Sequence, residues 1–201
     1  MKKLYVVYGQ THEYGFGLAD EHDIIAICRD LNKAIDIAIK EATEAFDYYK
    51  IPDSTQLDLS NDRYRDGYFR RCDYLNRPFN STARANGFRF TIDDNYAEKV
   101  WITVREMEIQ NDSSLSIEEL PLATIVFGKD TEEYSYDPIK IFSSRNEACA
   151  YALEYGTSLM NDLGVEPKDR FVEFGEDGYL GCIGDGEDYS VILRTKTLEI
   201  Q

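Results

Sequence analysis

The chain has 201 residues, 38 acidic against 22 basic side chains, a formal net charge of −16, and 43% apolar and 13% aromatic residues. It is too apolar for a solvated acidic tail, holds no run near the roughly 20 apolar residues of a membrane helix, and is too acidic for an ordinary basic nucleic-acid binder. One or two globular domains fit this length.

From the first residue onward, Met1-Lys2-Lys3 leads straight into Leu4–Tyr8. This run is about half as long as a secretory h-region and reads as a first strand. The glycine-bearing stretch Gly9–Gly17 follows it. It lacks the G-x-G-x-x-G and G-K-[ST] spacings and leads toward another strand, so it offers a phosphate no helix N-terminus and reads as a hairpin loop. The two histidines, His12 and His22, stand ten residues apart with no H-E-x-x-H spacing and no cysteine nearby. Neither a metal site nor a cofactor site is expected there. Cys28, Cys72, Cys149 and Cys182 never form a C-x-x-C pair and read as reduced thiols of a cytoplasmic protein.

Ile27-Cys28-Arg29-Asp30-Leu31-Asn32-Lys33-Ala34 reads as a strand end running into a helix, and Ile141-Phe142-Ser143-Ser144-Arg145-Asn146-Glu147-Ala148 aligns with it at an offset of 114. Asp30 and Ser144 stand at the N-caps, and Glu147 completes a capping box after Ser144. At the same offset one helix face carries Ala34, Ile35, Ala38, Ala42, Ala45, Phe46 and Tyr49, and the other Ala148, Cys149, Ala152, Gly156, Leu159, Met160 and Leu163. Both are amphipathic stripes. Alanine or glycine along the first three turns predicts close approach to a flat sheet. Gly156 would cost about 1 kcal/mol relative to alanine inside a helix, so it either packs closely there or ends the helix.

Between the first helix and the next strand lies an insertion, from about Lys50 to Gly87. Residues 61–90 hold seven arginines against three aspartates, a local +4 that leaves −20 to the rest of the −16 chain. Arg63-Tyr64-Arg65-Asp66-Gly67-Tyr68-Phe69-Arg70-Arg71 interleaves guanidinium and aromatic groups. That composition suits an anion, a protein partner, or the chain's own acidic surface. Phe88–Ile92 and Trp101–Ile109 read as strands, Asn111–Pro121 as a linker. The second copy follows with strands at Ala123–Gly128, Phe171–Phe174 and Ser190–Ile200, and its Leu198-Glu199-Ile200 ending matches Met107-Glu108-Ile109. The acidic glycine-rich piece Gly175–Asp188 lacks the ligand spacing of an EF-hand loop and reads as a turn.

The expected fold is therefore α+β: two tandem β-β-α-β-β modules, each with one helix on an antiparallel sheet. The first spans residues 1–110 with the basic insertion at about 50–87, the linker 111–121, and the acidic second module 122–201.

Ile-Phe-Ser-Ser-Arg-Asn-Glu-Ala-x-x-x-Ala, from Ile141 to Ala152, leading on to Leu-Glu-Ile, resembles small modules common in phages and mobile elements of Gram-positive bacteria. Acidic balance, size and the lack of a catalytic motif are similar to those of phage anti-CRISPR proteins. That resemblance implies a non-enzymatic inhibitor, without cofactor, whose carboxylates occupy a basic nucleic-acid site on a partner protein such as a CRISPR effector, with no direct contact to nucleic acid or membrane. The expected contacts are Glu132, Glu133, Asp185, Glu187 and Asp188, with Arg70 and Arg71 as a second patch. A small enzyme or nucleotide or anion binder using Thr11, His12, Glu13, His22 and the insertion's arginines is the alternative.

Overall fold

The computed structural model describes residues 3–10, 22–48, 68–73, 88–93, 98–110, 116–129, 137–186 and 191–201. They form two compact units, Lys3–Met107 together with Gln201, and Glu108–Ile200.

The first unit contains β1 (Lys3–Gln10), β2 (His22–Cys28), α1 (Leu31–Tyr48), β3 (Tyr68–Asp73), β4 (Phe88–Asp93) and most of β5 (Glu98–Gln110). Its hydrogen-bonded order is β2-β1-β5, with β4 on β5 and β3 on β4. β1 pairs antiparallel with β2, setting Val6 opposite Ile27. The N-cap forms as its sequence dictates, since Lys33 N–H donates to Asp30 Oδ1 at 3.0 Å. Ala34 and Ala38 are buried against Val7, Ala26, Ile102 and Val104, so the small stripe does bring the helix onto the sheet. The side chains of Ala42, Ala45, Phe46 and Tyr49 lie outside the described residues.

The second unit contains the end of β5, β6 (Leu122–Lys129), β7 (Asp137–Phe142), α2 (Arg145–Asp162), a single 3₁₀ turn (Pro167–Asp169), β8 (Arg170–Phe174), β9 (Leu180–Asp185) and β10 (Ile192–Glu199). The order here is β5-β7-β6-β10-β9-β8. Ser144 caps α2 by accepting the Glu147 amide at 3.4 Å. Gly156 sits inside the helix, and a Cβ there would stand 3.2 Å from Ile183 Cγ2 and from Leu193 Cδ1. Close packing repays its cost in helix propensity, because Ile183 and Leu193 are 2% and 0% exposed. Burial of that completeness is worth about 1.5–3 kcal/mol per side chain. The helix ends instead at Gly164, whose φ of +73° lets the Gly164 and Val165 amides donate back to the Asn161 and Met160 carbonyls at 3.0 and 2.9 Å.

The expectation of two β-β-α-β-β modules is corrected on three counts. Each repeat supplies five strands, not four, because Tyr68–Asp73 within the arginine insertion and Leu180–Asp185 within the supposed acidic turn are both strands. The pairing is mixed: β5 and β7 run parallel, with Ile109 opposite Ile141 and Gln110 opposite Phe142. Nor does strand pairing stop at the linker, for the end of β5, expected to close the first module, pairs with β7 inside the second unit. The physical reason lies in the two matching endings. Gln110 accepts the amide of Ser143 at 2.9 Å, and Gln201 accepts the amide of Arg29 at 3.0 Å, so each repeat's second strand meets the end of the other repeat's final strand. A helix-on-sheet module cut at the linker would leave those backbone groups unpaired.

The duplication itself persists in the element order, strand-strand-helix-strand-strand-strand twice over, with α1 and α2 both 18 residues long and displaced by the expected 114. Of the linker, residues 116–121 are described. They form a turn held by the Glu119 and Leu120 amides on the Ser116 carbonyl and anchored by Ile117 and Leu120, 9% and 4% exposed.

Candidate protein-binding surface

The charged side chains of the second unit divide by sign. Among the described residues from Glu108 to Glu199, every exposed charged side chain except Lys168 is a carboxylate. The remaining bases are half-buried, and several are laid onto the protein itself. Lys140, on β7, stands 4.5 Å from the ring centre of Tyr151 and 5.5 Å from that of Phe142. Tyr151 in turn stacks on Tyr155, their ring centres 5.4 Å apart. Arg145, the first residue of α2, lies 4.0 Å over the Tyr179 ring and pairs with Asp177 at 2.5 Å. Its Nε is buried and unpartnered among the described residues. Arg170 donates from Nε to the Val165 carbonyl at 3.0 Å, just beyond the helix end.

Rings and a carbonyl thus engage three of the cations, Lys140, Arg145 and Arg170, and Arg145 takes a carboxylate as well. Cation–π contact offsets part of the desolvation of a base, whereas a carboxylate finds no comparable partner on an aromatic face. The Asp177 carboxyl is shifted by its neighbours. The amide of Tyr179, donating at 3.1 Å, and then the Arg145 guanidinium hold its carboxyl below the usual 3.8.

The contact residues expected from sequence are distributed unevenly. Asp185 ends β9 but is only 4% exposed, and its carboxylate accepts the Val191 amide at 3.5 Å. It faces into the fold, where it closes the turn toward β10. Glu132, Glu133, Glu187 and Asp188 lie outside the described residues. Arg70 and Arg71 are neighbours on β3, in register with Thr91 and Phe90 of β4, and their side chains lie outside the described residues. Thr11, His12 and Glu13 lie outside the described residues, and His22 is the first residue of β2.

The sequence shows Glu173, Glu176 and Asp177 among acids crowded into the second copy, but not that they and Glu166 stand exposed on and around β8. Their shared strand and turn were hidden by the reading of 175–188 as one loop. Cys28, Cys149 and Cys182 form no disulfide among the described residues. Among the described residues no three His, Cys, Asp or Glu side chains are grouped to hold a metal ion, and no helix is long and apolar enough to cross a membrane.

The chain matches no protein-family model, no curated protein and no solved structure.

Proposed function

We propose that this is a non-enzymatic acidic binding protein, an inhibitor of phage or mobile-element type. It acts in the cytoplasm of its host by occupying the basic nucleic-acid site of a partner, a CRISPR effector being the class that fits. One observation carries the reading: among the described residues the exposed charge of the second unit is carboxylate except at Lys168, while Lys140, Arg145 and Arg170 are held against rings and a carbonyl. A surface of that kind repels nucleic acid and attracts the arginine and lysine clusters that bind it.

The test is competition. A panel of CRISPR effector nucleases is loaded with labelled DNA and titrated with the protein at rising ionic strength. Displacement that weakens steeply as salt shortens the screening length to about 10 Å at 0.1 M supports the reading. No displacement at low salt, or affinity indifferent to salt, refutes it.

A further inference from the structure

β8 is the outermost strand of its ladder, paired with β9 and with no other described strand. Two backbone hydrogen bonds fix the phase of that pairing: Gly186 donates to the Asp169 carbonyl and Gly175 to the Tyr179 carbonyl, both at 2.8 Å. Bonded and non-bonded positions alternate along an antiparallel pair. Phe171 and Glu173 therefore spend their backbone groups on β9, and the Arg170 amide is taken by the Pro167 carbonyl. The amides and carbonyls of Val172 and, beyond a one-residue register shift, Phe174 point to the open side.

The same residues are apolar and uncovered. Val172 is 44% and Phe174 61% exposed. Val172 stands opposite Ile183 in the ladder, and Ile183 lies beneath Gly156 of α2, so Val172 and Phe174 share the helix side of the sheet. α2 rests mainly over β6, β7, β9 and β10. Natural sheets usually blunt such an edge with proline, lysine or a covering element. Among the described residues β8 has neither proline nor lysine at its open positions and no strand beyond it, though its pairing slips between Glu173 and Phe174; the side chain of Arg170 is turned back onto Val165.

The surroundings specify what the edge would accept. Glu173 projects from the opposite face, and Glu166, Glu176 and Asp177 stand exposed at the two ends of the strand. We infer that the open edge of β8 is a docking site for an extended segment of a partner protein in which apolar and basic residues alternate. Added as one more strand, that segment bonds to the outward groups of Val172 and Phe174, lays its apolar side chains beside theirs, and sets its basic side chains beside Glu173. A second copy of this chain is the poorer occupant, since its own β8 would bring Glu173 and the flanking acids toward their counterparts on a body already at −16. The inference rests on the acidic-binder reading and locates its contact.

The probe is a fluorescent peptide of alternating lysine and valine, titrated against the intact protein by anisotropy, with a glutamate–valine peptide as control. Saturable binding of the first peptide alone is expected, with slowed hydrogen exchange at the Val172 and Phe174 amides. Val172→Pro removes an outward amide that the native ladder does not use, so the fold is retained and binding falls at least about tenfold. Phe174→Lys gives the same loss by a separate route. Absence of binding overturns the inference, as does binding undiminished in both variants. Self-association of the free protein that Val172→Pro abolishes assigns the edge to a second copy and also overturns it. Salt-sensitive competition with DNA that survives both substitutions removes the edge as the contact and leaves the acidic-surface reading standing; loss of competition in the unaltered protein removes that reading itself.

Discussion

The carbonyl of Gln201 accepts the amide of Arg29 at 3.0 Å, and the Gln201 amide donates to Ile27 at 2.9 Å. Gln110 and Ser143 make the equivalent contact, Arg29 and Ser143 being the same position of the two repeats. Deleting Gln201 removes two backbone hydrogen bonds, each worth about 0.5–1.5 kcal/mol net. A stability loss of roughly 1–3 kcal/mol is expected in urea unfolding, whereas Gln201→Ala, which keeps the backbone, stays close to the parent. Equal stability of the deletion and the parent would show that the pairing carries no weight.

Gly156 separates two effects of opposite sign. Alanine there gains about 1 kcal/mol of helix propensity, and its Cβ meets only the ends of two flexible side chains at 3.2 Å, so Gly156→Ala should change stability by less than about 1 kcal/mol. Gly156→Leu has no such room and should cost roughly 3 kcal/mol or more, read as a lowered thermal midpoint. A well-tolerated leucine would contradict the close approach of α2 to β9 and β10.

Asp177 makes stability depend on acid pH. Its folded pKa lies below the unfolded one, so its contribution is present above the ordinary 3.8 and is lost as pH falls through the lower folded value. Asp177→Asn should therefore melt earlier than the parent at neutral pH, by a small margin because the group is solvent-exposed. The gap should close in acid. A gap that persists at a pH where Asp177 is protonated in both the folded and the unfolded chain would point to a purely steric role.

Cys28 is completely buried, and burial pushes its thiol above the usual 9.0, with Lys33 opposing and Asp30 adding to the rise. The fold thus favours the protonated thiol. That contribution is intact below 9.0 and is lost as pH rises through the folded value. Alkylation followed by mass spectrometry should find Cys28 unmodified in the native protein at neutral pH, slower than the half-buried Cys149 and Cys182, and fully modified in urea. Rapid native modification of Cys28 would place it at the surface.

Both helices were legible because two independent signals agreed at each: an oxygen-bearing residue at the cap and a small-residue stripe at helical spacing. Tyr68–Asp73 and Leu180–Asp185 were not, for different reasons. In Tyr-Phe-Arg-Arg-Cys-Asp the apolar residues fall side by side, which erases the period of two. In Leu-Gly-Cys-Ile-Gly-Asp the glycines read as turn residues, yet a Cβ at Gly184 would stand 2.5 Å from the Val191 carbonyl, so the residue is there to let β10 come close. Gly128, at the end of β6, answers the same need: its φ is +144° and a Cβ would lie on the Ile192 carbonyl. The missed strands hid the open edge of β8, since Phe171–Phe174 taken alone gives no indication of which flank β9 covers. The parallel β5–β7 pair was beyond periodicity altogether, because two residues of pairing leave no pattern in sequence.

The contact between Arg29 and Gln201 joins positions 172 residues apart in the chain. Contacts of such separation pay a large closure entropy before any stabilisation is returned, and they slow folding. During synthesis the first repeat waits with the end of β2 unpaired until residue 201 has been made. Until then its own apolar strand is exposed to mispairing, and refolding from dilute solution should be far more efficient than from concentrated solution.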